Sequence, residues 1–84
     1  MKLHAVVLNR QWAHELGAVI EPYLETVGRP PNDLPVLYAR KIKADAPLLE
    51  ATADRDGVPM LVCIRYGAVL AIVETTSERR IGFV

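Results

Sequence analysis

Residues Val58 to Val73 read VPMLVCIRYGAVLAIV, sixteen residues in which Arg65 is the only charge. Tyr66-Gly67 interrupts the run, so it divides into two β-strands, Val58 to Arg65 and Ala68 to Thr75, joined as a hairpin. A strand with one wet face alternates apolar and polar residues, because successive side chains point to opposite faces. These two do not alternate: Met60, Val62 and Ile64 share one side, Leu61 and Cys63 the other. Both sides need cover, since burying each large apolar side chain is worth roughly 1.5 to 3 kcal/mol. A membrane helix is a poor alternative, because spanning takes about 20 apolar residues and this run carries Arg65, Tyr66 and Gly67 at its centre.

Upstream, Asp54-Arg55-Asp56-Gly57 is a reverse-turn signal placed where a hairpin into Val58 needs it. That favours a strand over Leu48 to Ala53, although Asp45 and Pro47 also suit the start of a short helix. Val36 to Lys43 reads as a further strand whose far end collects Arg40, Lys41 and Lys43, the composition of a protected sheet edge. Three prolines make Arg29 to Pro35 a loop. Before it, Trp12, Leu16, Val19, Ile20, Tyr23, Leu24 and Val27 recur at three- and four-residue steps, which predicts an amphipathic helix from Arg10 to Val27. Asn9 caps its start and Gly28 its end, and Pro22 bends it or breaks it after Ile20. Leu3 to Leu8 is a short strand, and Arg79 to Val84 either adds a last edge strand or frays.

The predicted order is β-α-β-β-β(-β), an α+β domain spanning residues 1–84, with one main helix packed on a mainly antiparallel sheet of four to five strands. One helix covers one face of that sheet. The other is left for a second copy, another protein, or residues 45–55 folded as a second helix.

Bulk properties narrow the function classes. Ten basic and ten acidic residues balance, which weighs against phosphate neutralisation as the chain's main task. A single cysteine and an N-terminus without a long apolar run point to the cytoplasm. At 51% hydrophobic residues the chain has ample material for a core.

Catalytic candidates are few. His14 sits on the polar helix face beside Glu15, and His4 on the first strand is placed to reach a carboxylate on a neighbouring strand. Cys63 lies mid-strand among apolar residues and is expected to pack in the core; pairing it with His4 would require those two strands to be neighbours. Two histidines and one cysteine at unrelated spacings do not define a zinc site, and Asp54, Asp56 and Gly57 lack the remaining ligands of a calcium loop. Ser77 has no nucleophile-elbow context, and Glu15, Glu21 and Glu25 line a solvated helix face. No enzyme or cofactor is expected.

The expectation is a small protein-interaction module, an adaptor or inhibitor that docks a sheet face or edge on another protein or a second copy of itself. Its size and neutral charge are those of many inhibitors encoded by phages and mobile elements, a likeness that no motif sharpens. Candidate partner-binding residues are Tyr38, Arg40, Lys41, Lys43, Arg65, Tyr66, Arg79 and Arg80. If the topology gathered these, they would form a basic patch with two tyrosines for stacking, the alternative being an RNA or single-strand binder.

Overall fold

The computed structural model describes residues 2–76. Strand β1, Lys2–Leu8, leads through the cap residue Asn9 into helix α1, Arg10–Leu16. Two short 3-10 turns, Gly17–Val19 and Glu21–Tyr23, carry the chain into β2, Leu24–Val27. Strands β3, Leu34–Ala39, and β4, Lys41–Lys43, follow, then β5, Leu49–Arg55, and β6, Val58–Ile64. A last 3-10 turn, Tyr66–Ala68, opens into β7, Val69–Thr76.

Mixed helix and sheet is the expected class, but the strands form two antiparallel sheets rather than one. Four strands make the first, in the order β2-β3-β1-β7, and three the second, β4-β5-β6. The expected strand from Val36 to Lys43 is divided at Arg40, where the chain leaves the first sheet and enters the second. The Arg40 N–H donates to the Thr52 carbonyl at 2.9 Å, so pairing in the second sheet begins at the corner itself.

Alternation explains the layering. In β1, Val6 and Leu8 point one way and Ala5 and Val7 the other. Val6 and Leu8, with Leu37 and Ala39 of β3, pack on Leu49, Ala51 and Ala53 of β5, Ile64 of β6 and Ala68 in one fully apolar core. Ala5, Val7 and Val36 form a smaller cluster on the opposite face of the first sheet, with Val27, Leu34 and Tyr38 against it. The cover of β6 is thus a second sheet. Ile64 is buried, Val62 is half-buried and Trp12 of α1 only joins the core's margin, so the helix is not the main layer expected over this strand.

The helix departs furthest from the sequence reading. Asn9 caps it as expected, its Oδ1 accepting from the Trp12 N–H at 3.1 Å. It stops after seven residues at Gly17, whose φ of 55° and ψ of −128° are open to glycine and costly for any residue with a Cβ. Its N–H donates to the Ala13 carbonyl, closing the last turn. Pro22 then occupies the second of the two 3-10 turns, where its fixed φ is harmless, and Leu24–Val27 pairs with β3 instead of completing the apolar stripe. Val19, assigned to that stripe, is 75% exposed.

Residues 45–55 do not form a second helix: β5 pairs with both β4 and β6. The turn signal before Val58 holds. Asp56 and Gly57 both have positive φ, 53° and 81°, the two-residue turn whose twist matches an antiparallel hairpin. By contrast, β6 and β7 do not form the expected hairpin around Tyr66-Gly67, because they belong to different sheets. The sequence expectation for Arg79 to Val84 lies outside the described residues.

A Cβ at Gly17 meets nothing within 4 Å, so the cost of adding one is purely conformational. We expect Gly17→Ala to destabilise by about 1 to 3 kcal/mol, and Asn9→Ala by about 1 kcal/mol. Each kcal/mol lowers the thermal midpoint by roughly 4 to 8 °C in a domain of this size. Thermal unfolding followed by circular dichroism checks both; an unchanged midpoint for Gly17→Ala would mean that the helix continues through this residue.

Candidate interaction surface

Among the described residues four strands lie at sheet edges, and their compositions divide sharply. β4 is three residues long with two lysines, and β2 is four residues long with Glu25 and Thr26 exposed. Short length and charge are ordinary protections against edge-to-edge pairing. β6 has seven residues, is apolar throughout, and carries Pro59, which lacks an N–H. β7 has eight residues and reads VLAIVETT, with no proline and no charge before Glu74.

Both long edges are apolar at the surface. Along β6, Val58, Met60 and Leu61 are 57%, 40% and 60% exposed, and along β7 Leu70, Ile72 and Val73 are 54%, 41% and 40% exposed. Ile72 stands opposite Val6 and Val73 opposite Ala5, so the exposed residues of β7 lie on both faces of its sheet. The two edges leave one corner, the connection 65–68, which is held to β1 by the Asn9 N–H donating to the Ala68 carbonyl at 2.8 Å. The register between β1 and β7 shifts between Val7 and Leu8, confining the irregularity to the start of β7.

The residues singled out in the sequence are distributed over several places. Arg40, Lys41 and Lys43 lie together along the corner and β4, among acidic neighbours. The Arg40 Nε sits 3.1 Å from Asp54 Oδ2, and Lys43 stands directly opposite Glu50. Tyr38 is half-buried on the far face of the first sheet, packed against Ala5, Val7 and Val36. Arg65 is exposed at the corner, beside a groove of about 280 Å³ that Asn9, Trp12 and Glu15 also line. Tyr66 reaches the end of β4: its hydroxyl lies 2.7 Å from the carbonyls of both Ala44 and Ala46, and its one proton serves them in turn. Arg79 and Arg80 lie outside the described residues.

Cys63 does not pack in the core as the sequence suggested. It is exposed on the outer face of β6, opposite Glu50, because Ile64 and Val62 take the inward positions. It also cannot pair with His4 across neighbouring strands, since β1 is flanked by β3 and β7. His4 instead stands opposite Glu74, the carboxylate on a neighbouring strand that its position called for. His14, Glu15, Glu21 and Glu25 are exposed, and Ser77 lies outside the described residues.

Two grooves flank α1 and share Arg10 and His14, one of about 320 Å³ and one of about 560 Å³. Arg10 has a packing task there, its guanidinium donating to the carbonyls of Pro31 and Asp33 and lying 3.4 Å from Asp33 Oδ1. That ties the proline-rich loop to the helix. Among the described residues no buried side chain is polar or charged, no group of three metal-ligating side chains gathers, and no helix is long and apolar enough to cross a membrane.

Because Ala44 is exposed, water can replace the Tyr66 hydroxyl at its carbonyl. Tyr66→Phe is therefore expected to cost about 0.5 to 1 kcal/mol, the low side of a neutral hydrogen bond, and to speed amide exchange in residues 44–48. A loss several times larger, measured by denaturant unfolding, would show that Tyr66 supports the core rather than this loop. Comparison of the chain with protein-family models, curated proteins and solved structures gave no match.

Proposed function

We propose that the protein is a small non-catalytic interaction module, an adaptor or inhibitor, whose recognition element is the pair of long apolar strands β6 and β7, which lie at sheet edges among the described residues. The observation that carries this reading is the contrast between edges. Two are short and charged, while the two long ones expose Val58, Met60, Leu61, Leu70, Ile72 and Val73. An unprotected edge is a template for another strand: main-chain hydrogen bonds supply affinity, and alternate side chains supply specificity.

The RNA-binding alternative has less support, because Arg40 is paired with Asp54 and Lys43 faces Glu50. Its exposed thiol, Cys63, suits the reducing cytoplasm. Size and neutral charge suit an inhibitor of the kind that phages and mobile elements encode.

A photo-crosslinking amino acid placed at position 61 or 72 in cells tests the reading. Discrete protein adducts are expected from both positions and none from position 21, an exposed control site beyond α1. Equal labelling at all three positions, or no adduct at 61 and 72, would contradict it.

A further inference from the structure

We draw no further inference here: the strongest candidate, the apolar surface patch of Leu70, Ile72 and Val73 on β7, belongs to the edge already described, and nothing in the structure shows what covers it.

Discussion

The packing of the two sheets on one another is the contact on which the rest of the structure depends. Val6, Leu8 and Leu37 on one side and Leu49 and Ile64 on the other are fully buried, and Ala39, Ala51, Ala53 and Ala68 fill the space between with methyl groups. Small residues at these positions let the sheets approach, and no polar side chain interrupts the layer. A domain of this size has little stability to spare, about 5 kcal/mol or somewhat more. Truncating one of the buried leucines costs about 2 to 5 kcal/mol, a large part of that total. The corner at Arg40 and the turn at Tyr66–Ala68 exist because the chain must pass between the layers, and both fix their geometry with main-chain hydrogen bonds.

The same packing creates the exposed edges. Once β5 has sealed the inner face of the second sheet, β6 is left, among the described residues, with β5 as its one neighbour, and β7 with β1. The chain joins these strands directly through residues 65–68 without pairing them, so two apolar edges open from one corner. Among the described residues seven strands in two unclosed sheets leave four edges. Here two are short and charged and two are long and mostly apolar, and that asymmetry is the physical basis of the functional reading.

Much of this was legible in residues 58–73, including two strands apolar on both faces and the opposite facing of Ile64 and Leu61. Their assignment to different sheets was not, because a period of two is the same whether strands pair with each other or with others. A signal was nevertheless present. The true hairpin carries Asp56-Gly57, which accepts positive φ at both central residues, and Tyr66-Gly67 lacks that chemistry. The helix was overextended for a related reason: Val19, Ile20, Tyr23, Leu24 and Val27 satisfy a helical spacing, yet Gly17 breaks the backbone before any of them is reached. Cys63 was expected inside on composition alone, but its parity with Leu61 placed it outside once Ile64 was fixed inward. Whether the basic residues gather into one patch was left open by the sequence, which shows cations and not their neighbours; Asp54 and Glu50 come beside Arg40 and Lys43 only through strand pairing.

Hydrogen exchange at single amides, measured by NMR, tests most directly whether β7 is an open edge. Between Ala71 and Val73 the amides that face away from β1 should exchange at nearly unprotected rates while those bonded to β1 are protected. Uniform protection across these residues in the dilute protein would contradict the account, because the edge would then already be paired within the chain.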